Sequence, residues 1–424
     1  MRYRLLTTIV LFAFSLFFLK DTLFARIILP PIDEPIVKKI SIVIPDLEGP
    51  GVGQKEAREF VEVLRNDLKN SGLFDVRKDT ITNPDVGGYT DFQALFESGA
   101  EAFIKGNYKY SGNRITIDVT LFDVIAEKPL QGRSYEATPD RVREAAHRFA
   151  NLVLKEFTGI DGFFTSKIVY VSGAQHRRDL YIMDYDGYNV RRLTNHNALV
   201  MSPHCSPDGT RITFSSDKVW DQDIYILKLI PRVEEQRITR AFRLEQSPEW
   251  SPDGQKIAYS ANGDIYIANP DGSGAVNITR HPSIDVSPTW SPDGTKIAFT
   301  SDRNGIPQIY VMNTDGSGVR RLTSGGYSTD PAWSPNPAVN KIAFVRVEGS
   351  EANIYTINPD GSDEKRLTYG TRRNENPSWS PDGHYIAFTS TRTGAKDIYI
   401  MYLNGENQRQ LTKGGGKSFP TWCK

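Results

Sequence analysis

Hydrophobic and polar positions recur along the second half of the chain with a period of 40 to 45 residues. A full copy holds a Pro-x-Trp segment, a Ser-Pro-Asp-Gly turn, an Ile-x-aromatic strand, an aliphatic-Tyr strand and a strand ending in aliphatic-Thr, with Cys205 in place of one Trp and Ser-Pro-Asn-Pro in place of the turn at Ser334. The Ile-x-aromatic strands start at Ile168, Ile212, Ile257, Ile297, Ile342 and Ile386. Short strands separated by Gly turns are typical of propeller blades. The pattern therefore predicts an all-β six-bladed propeller over residues 165–424, in preference to a helical-repeat solenoid.

The end of the chain predicts how this ring closes. The first copy lacks its own Pro-x-Trp segment, and a further Pro420-Thr421-Trp422 follows the sixth copy without a turn after it. A strand over residues 419–423 would therefore pair into the first blade and remove the open edge of the ring.

Residues 36–160 do not share the repeat and predict an α/β domain. The pattern gives a strand at 36–44, a helix at 54–70, a weak helix at 91–97 and three strands near 102–110, 114–123 and 129–136. A last helix is predicted to start at the Thr138-Pro139 pair and to stop at Gly159.

The first 35 residues indicate export. Arg2 and Arg4 precede an apolar run of 15 residues that Lys20 ends. A spanning helix needs about 20 residues, so residues 1–25 predict a cleaved signal peptide, the alternative being an uncleaved membrane tether. Residues 26–35 contain three Pro and predict an extended segment. Its aliphatic residues Ile27, Ile28, Leu29 and Ile32 are candidate partner contacts, the alternative being a passive linker.

Composition and charge narrow the classes of function. The chain has 51 basic and 51 acidic residues and a net charge of zero, so no whole-chain field attracts nucleic acid or membrane. Its two Cys cannot form a four-ligand zinc site, and no metal or cofactor is predicted. Cys205 and Cys423 fall on inner strands of neighbouring blades. Such strands are often too far apart for a disulfide, and the pairing stays open.

Enzyme signatures are missing from the sequence. No Gly-x-Ser-x-Gly or His-Glu-x-x-His motif occurs, and no catalytic residue is predicted. His147 fits helix packing. The Asp repeated in each Ser-Pro-Asp-Gly turn fits a side chain bonded to its own turn better than paired catalytic carboxylates. The Trp at a fixed phase predicts packing between blades, with sugar stacking as the alternative; Trp220 falls outside this phase.

The order of a signal peptide, an α/β domain and six blades with Trp-Ser-Pro-Asp-Gly turns resembles the TolB family of the Tol-Pal system. The most specific residues are Val142-Arg143-Glu144-Ala145-Ala146-His147, Thr158-Gly159 and Phe164-Thr165-Ser166-Lys167-Ile168. The resemblance implies a monomeric, non-enzymatic periplasmic scaffold that supports outer-membrane integrity and cell division. It implies two partners, the lipoprotein Pal for the propeller and TolA for the N-terminal segment. An exported propeller hydrolase or a sugar-binding protein is the alternative.

The resemblance also implies a Pal-binding site in the connections that enter the Pro-x-Trp strands. Aligned on that Pro, its residues are Leu244, Glu245, Gln246 and Ser247 in one blade and Asp285, Val286 and Ser287 in the next. The same positions relative to this Pro in the next two repeats extend the prediction to Tyr327, Thr329, Asp330, Asn374, Glu375 and Asn376. These residues are expected in loops on the face opposite the Ser-Pro-Asp-Gly turns. Ordinary solvated loops are the alternative.

Overall fold

The computed structural model of the 424-residue chain describes residues 38–78, 85–86, 89–174, 176–230, 232–240, 244–370 and 372–424. A small α/β domain is followed by a six-bladed β-propeller, which confirms the predicted fold class. The predicted signal peptide and the extended segment lie outside the described residues. Within the described ranges, no helix combines the length and apolar character needed to cross a membrane.

The α/β domain has a five-stranded sheet in the order β2-β1-β5-β6-β7. Its strands are β1 Ile40–Val43, β2 Phe74–Arg77, β5 Ala102–Ser111, β6 Arg114–Asp123 and β7 Lys128–Ala137, and β3 Asp85–Val86 with β4 Tyr89–Thr90 forms a separate hairpin. The helices are α1 Gln54–Asn70, α2 Phe92–Glu97 and α3 Val142–Thr158. Strand β1 runs parallel to β2 and β5, whereas β5, β6 and β7 are antiparallel. Helices α1 and α3 pack with the sheet in one hydrophobic core.

The sequence pattern predicts the three helices and the strands β1, β5, β6 and β7 of this domain, but misses β2, β3 and β4. Helix α1 has its predicted bounds, but β2, β3 and β4 have only two to four residues, too few for alternation to show. The predicted cap at Thr138 is wrong in detail. A 3₁₀ turn at Pro139–Arg141 comes first, and the Thr138 side chain makes no capping hydrogen bond. Gly159 ends α3 as predicted, with a φ of 74°.

Each propeller blade is an antiparallel sheet of four strands, numbered one to four from the channel outward. Blade 1 has β31 Lys417–Cys423, β8 Lys167–Ala174, β9 Arg177–Asp184 and β10 Arg191–Arg192; blade 2 has β11 Val200–Cys205, β12 Arg211–Val219, β13 Asp221–Lys228 and β14 Glu234–Arg237; blade 3 has β15 Glu245–Trp250, β16 Ile257–Ala261, β17 Asp264–Ala268 and β18 Val276–Asn277. Blade 4 has β19 Asp285–Trp290, β20 Lys296–Ser301, β21 Gln308–Asn313 and β22 Arg320–Arg321; blade 5 has β23 Tyr327–Trp333, β24 Ile342–Glu348, β25 Glu351–Ile357 and β26 Lys365–Arg366; blade 6 has β27 Asn374–Trp379, β28 Tyr385–Ser390, β29 Asp397–Tyr402 and β30 Arg409–Gln410.

Two interactions recur in every blade and account for the repeated residue types. Strands two and three share one aromatic pair with ring centroids 5.5–5.9 Å apart, namely Tyr170–Tyr181, Phe214–Tyr225, Tyr259–Tyr266, Phe299–Tyr310, Phe344–Tyr355 and Phe388–Tyr399. The hydroxyl of the Thr after strand four accepts from a backbone N–H of strand three at 2.9–3.0 Å, namely at Thr194, Thr239, Thr279, Thr323, Thr368 and Thr412. The repeated Thr therefore satisfies a backbone donor where the short fourth strand ends.

The C-terminal strand closes the ring, as predicted. Strand β31 pairs antiparallel with β8, with Cys423 opposite Lys167 and Ser418 opposite Val171. Five of the six Trp residues lie buried at the fixed phase, and Trp250 and Trp290 pack in clusters that combine residues of two neighbouring blades. This packing confirms the predicted role of the repeated Trp.

A disulfide joins Cys205 on β11 to Cys423 on β31, and so links blades 2 and 1. The expectation that neighbouring inner strands lie too far apart is wrong here, because the two Cα atoms are 5.4 Å apart. Inner strands converge towards the propeller axis. Cys205 also stands where the other five copies have Trp.

The α/β domain packs on blades 1 and 6. The ring of Phe163, in the linker after α3, lies 4.4 Å from the ring of Tyr385 and 5.8 Å from that of Trp422, centroid to centroid. The hydroxyls of Tyr385 and Tyr402 donate to the carbonyl oxygen of Asn70 at the end of α1, at 2.9 and 2.8 Å. The linker and α1 therefore fix the domain against the ring.

A buried polar cluster completes this domain interface. Asp67 of α1 is hydrogen-bonded to Nδ1 of His147 at 2.7 Å and accepts from the hydroxyl of Tyr185 in blade 1. Burial raises the pKa of Asp67, and the bonds from His147 and Tyr185 offset this only in part. Arg143 of α3 forms an ion pair with Asp186 of the propeller. His147 thus belongs to the helix packing, as predicted, and joins the two domains.

Replacing Cys205 and Cys423 together with Ser should lower the free energy of unfolding by about 2–5 kcal/mol. The disulfide joins residues 218 positions apart and so restricts the unfolded chain strongly. The measurement is urea unfolding with and without dithiothreitol. The reduced wild-type protein should match the double variant, whereas a wild-type midpoint that reductant leaves unchanged would contradict the prediction.

Candidate functional site on the mouth face

The propeller has two faces of different construction. The turn face carries the Ser-Pro-Asp-Gly turns between strands one and two and the Asp-Gly turns between strands three and four. The mouth face carries the hairpins between strands two and three and the connections from blade to blade. Tyr185 and Tyr385, which contact the α/β domain, belong to turn-face segments. The α/β domain therefore sits on the turn face.

The repeated turn carboxylates are bound within their own turns. Asp208, Asp253, Asp293 and Asp382 each accept from the Ser hydroxyl two residues earlier, at 2.5–2.6 Å, and from the backbone N–H two residues later, at 3.0–3.2 Å. The Ser hydroxyl is the main cause that lowers the pKa of Asp253 and Asp293. This geometry confirms the structural interpretation of the repeated Asp.

Every inner strand has a bulge at its mouth-face end. The residue before the strand's Pro has a φ of 48–54° in all six blades, at Ser202, Ser247, Ser287, Asp330, Asn376 and Phe419. Pairing with the second strand shifts register at the same place. A left-handed conformation costs a residue with a side chain about 1–2 kcal/mol. The six bulges therefore form a ring of strained backbone at the channel entrance.

The inner strands enclose a central channel of about 430 Å³. Its wall runs from the bulge residues, at the mouth, to the Pro residues of the Ser-Pro turns at the other end. The side chain that follows the Pro of the inner strand accepts from the backbone N–H of a Trp in the next blade at His204, Glu249, Thr289 and Ser378, over 2.9–3.3 Å. These bonds join blade to blade along the channel wall.

His204 and Glu249 form a titratable pair in this wall. Nε2 of His204 lies 3.7 Å from Oε2 of Glu249. Burial raises the pKa of Glu249 to about 7, against hydrogen bonds from Trp290 and Thr289. Burial lowers the pKa of His204 to about 4. Between these values the pair is uncharged, as desolvation of both groups favours.

The structure brings together part of the predicted Pal-binding set. Ser247, Ser287, Asp330 and Asn376 are bulge residues and line the channel together. Leu244 and Tyr327 are exposed around the mouth, 56% and 46% accessible. The remaining partly buried members are Gln246, Val286, Thr329 and Glu375. Whether this set binds a partner stays a prediction.

Three predicted residues lie below the surface. Glu245, Asp285 and Asn374 are at most 2% accessible, because each begins an inner strand and points into its blade. Both oxygens of Asp285 accept from Nη2 of Arg303, at 2.9 and 3.0 Å. The expectation of loop positions is wrong for every predicted residue of this set except Leu244, because the others lie in β15, β19, β23 and β27. Reversing the charge of Glu245 or Asp285 would therefore test folding rather than partner binding.

Several exposed apolar residues of the mouth face are absent from the predicted set. Trp220 is 95% accessible at the tip of the blade 2 hairpin, and Ile284, Ile306 and Tyr369 are at least half accessible in other mouth-face segments. Sequence phase assigns Trp220 to no repeat position. The other three residues could have been predicted from the sequence, because each is a large apolar residue inside an otherwise polar connection.

The protein belongs to the class of propeller scaffolds. Its propeller is closed, its α/β domain sits on the turn face, its mouth is open, and its repeated carboxylates are bound within turns. Residues 154–424 match the TolB beta propeller domain, and residues 31–130 match the TolB amino-terminal domain. The chain belongs to the TolB family. The family is named for a Tol-Pal system component and not for a catalytic activity, in agreement with the prediction that the chain is not an enzyme.

Individual relatives agree with this assignment. The Tol-Pal system protein TolB of Syntrophotalea carbinolica is 39% identical over 166 residues, which cover 37% of this chain and 38% of the relative. The protein of the same name from Desulfosudis oleivorans is 33% identical over 220 residues, half of each chain. The aligned segments thus span half or less of these curated relatives. The crystal structure of TolB from Acinetobacter baumannii shares the fold, with a TM-score of 0.79, 24% identity and coverage of 91% of this chain and 97% of that chain.

The channel pair predicts opposite pH dependences for two single variants. Folded Glu249 keeps its proton up to pH about 7, whereas the unfolded chain loses it near 4.5, so its contribution to stability falls as pH rises through this window. Folded His204 is neutral above about 4, whereas the unfolded chain is protonated up to 6.5, so its contribution rises with pH.

Glu249→Gln should therefore become more stable with rising pH relative to wild type, and His204→Gln less stable. The measurement is the urea midpoint of all three proteins from pH about 4 to 7. Parallel curves would show that neither group changes its pKa on folding.

Proposed function

We propose that this protein is a non-enzymatic scaffold of the Tol-Pal system in the periplasm. In this function the mouth face binds the peptidoglycan-associated lipoprotein Pal, and residues 26–35 bind TolA. A protein that holds both partners links the layers of the envelope and supports outer-membrane integrity during cell division. Family membership supports a role in the Tol-Pal system. The assignment of Pal and TolA as partners goes further than family membership does.

The construction of the mouth face is the observation that carries the proposal for Pal. The face opens into the central channel, and exposed Leu244 and Tyr327 stand around the opening. Large apolar side chains around a cleft are typical of protein interfaces. The α/β domain occupies the turn face, so a partner at the mouth does not compete with it for the same surface.

The proposal for TolA rests on the sequence of residues 26–35. Three Pro restrict the unbound segment, so that it loses little conformational entropy on binding. Ile27, Ile28, Leu29 and Ile32 supply apolar contacts for a groove or a sheet edge. A passive linker would have the same sequence length but no affinity of its own.

Replacing Leu244 and Tyr327 together with Ala should raise the Kd for purified Pal about tenfold or more, because exposed apolar side chains at an interface centre carry much of its binding energy. Isothermal titration calorimetry provides the measurement. Val319→Ala on the turn face, where Val319 is also exposed, should leave the Kd unchanged. Equal effects of the two changes would place the site elsewhere.

A mature protein that starts at Ile36 should lose binding to the purified periplasmic part of TolA and keep binding to Pal. The deletion removes residues that precede the first described strand, β1 Ile40–Val43, so the two activities should separate. Pull-down of both partners by the full mature chain and by the shortened chain measures this. Undiminished TolA recovery by the shortened chain would show that residues 26–35 are a linker.

A further inference from the structure

Charge is separated between the two faces of the propeller. In the described segments between strands, the mouth face has eight basic residues and one acidic residue, Asp302, whereas the turn face has eleven acidic and three basic residues. The eight basic residues are Arg240, Arg280, Arg303, Arg372, Arg373, Arg392, Lys396 and Lys413. The connecting segments of the mouth face are therefore basic, which attracts anionic surfaces, although Glu375 on β27 forms ion pairs with Arg373 at 2.6 Å and with Lys396 at 2.9 Å.

Three blades hold an Arg against their aromatic pair. The guanidinium lies 4.5–5.3 Å from the ring centroids of Phe299 and Tyr310 for Arg303, of Phe344 and Tyr355 for Arg346, and of Phe388 and Tyr399 for Arg392. We call this aromatic pair, together with its Arg, a cage. The guanidinium loses hydrating water in the cage, and an anion beside it compensates for that loss.

The first two Arg side chains have an internal anion. Nη2 of Arg303 donates to both oxygens of Asp285, at 2.9 and 3.0 Å. Arg346 donates to both oxygens of Glu364, at 2.5 and 2.8 Å. Burial opposes the charge of Arg346, but the hydrogen-bonded Glu364 outweighs it and raises the pKa of Arg346.

Arg392 in blade 6 donates to neutral acceptors instead. Its Nε donates to the hydroxyl of Ser390 at 2.9 Å and its Nη2 to Oδ1 of Asn374 at 3.1 Å. Asn374 is opposite Ser390 in the sheet as Asp285 is opposite Ser301 in blade 4, so Asn374 takes the place of an Asp. Over the described ranges, no carboxylate pairs with Arg392, and burial lowers its pKa.

We propose that the cage around Arg392 binds a carboxylate on the acidic surface of a partner protein. The Arg392 side chain is partly exposed, so a carboxylate approaching from the mouth face reaches the guanidinium. Hydrogen bonds between Thr391 and Arg373, at 3.0 and 3.1 Å, hold the basic Arg372-Arg373 connection beside this hairpin. The inference rests on the proposed function of the mouth face and adds the chemistry that the partner must present.

A protein fits this surface better than a bilayer or a nucleic acid does. Exposed Tyr327 and Tyr369 lie on the mouth face of blade 5, next to the basic residues of blade 6. Arg together with aromatic residues is the composition of protein interface centres. The mouth also leads into the channel, which suits a convex folded partner better than a flat lipid surface.

Asn374→Asp tests the proposal, because it gives Arg392 the internal carboxylate that Asp285 gives Arg303. The variant should weaken binding of the purified periplasmic domain of Pal about tenfold or more, the range of a charge-assisted hydrogen bond. Its thermal midpoint should stay at or above that of wild type. Arg392→Gln, the second variant, removes the cation and should cause the same loss. Wild-type binding should weaken with added salt.

Asn197→Asp is the matched control, since Asn197 is exposed in the connection from blade 1 to blade 2 on the same face and the added charge is the same. It should bind Pal like wild type. Normal Pal binding by Asn374→Asp and Arg392→Gln would overturn the inference and leave the proposed function standing.

If Pal does not bind the wild-type protein, the proposed function fails, and an oligoglutamate peptide of about ten residues becomes the probe. Peptide binding that Asn374→Asp abolishes supports the inference, and no peptide binding overturns it. Phosphatidylglycerol vesicles and an oligonucleotide are also tested. If either binds more tightly than the peptide does, and Asn374→Asp weakens that binding to the same extent, the choice of a protein partner is overturned.

Discussion

A ring of six sheets depends on one strand, because an open ring exposes both a strand edge and an uncovered blade face. Strand β31 provides the inner strand of blade 1 and connects three parts of the molecule. It pairs with β8, its Cys423 is bonded to Cys205 of blade 2, and its Trp422 contacts Phe163 of the linker. The position of the α/β domain, the shape of the channel and the spacing of the mouth-face segments all follow from this closure.

Sequence spacing predicted the blades well because most of the repeated residues have a local task, although the repeated Trp packs between neighbouring blades. The turn Asp bonds its own backbone, and the Thr after strand four satisfies a donor of strand three. Tasks of this kind involve neighbours within one blade, and periodicity reports them. The α/β domain has no repeat, so its short strands β2, β3 and β4 left too few positions for a pattern.

The closure of the ring was visible in the sequence, but the distances between its inner strands and the facing of their residues were not. The distance between Cys205 and Cys423 depends on how inner strands converge, and the burial of Glu245 and Asp285 depends on which side of an inner strand faces the blade. The bulge at Ser247 and its equivalents interrupts the alternation that would have given this facing. Candidate site residues could therefore be placed at the mouth, but not sorted into exposed and buried ones.

The placement of charge also has a consequence for motion in solution. Acidic turns at one end and basic connections at the other give the propeller an electric dipole along its axis, although the chain as a whole is neutral. The field of an acidic macromolecule exerts a torque on this dipole, so that within a Debye length of about 8–10 Å the protein turns its basic end forward. Productive encounters then become more frequent without any gain in the lifetime of the complex.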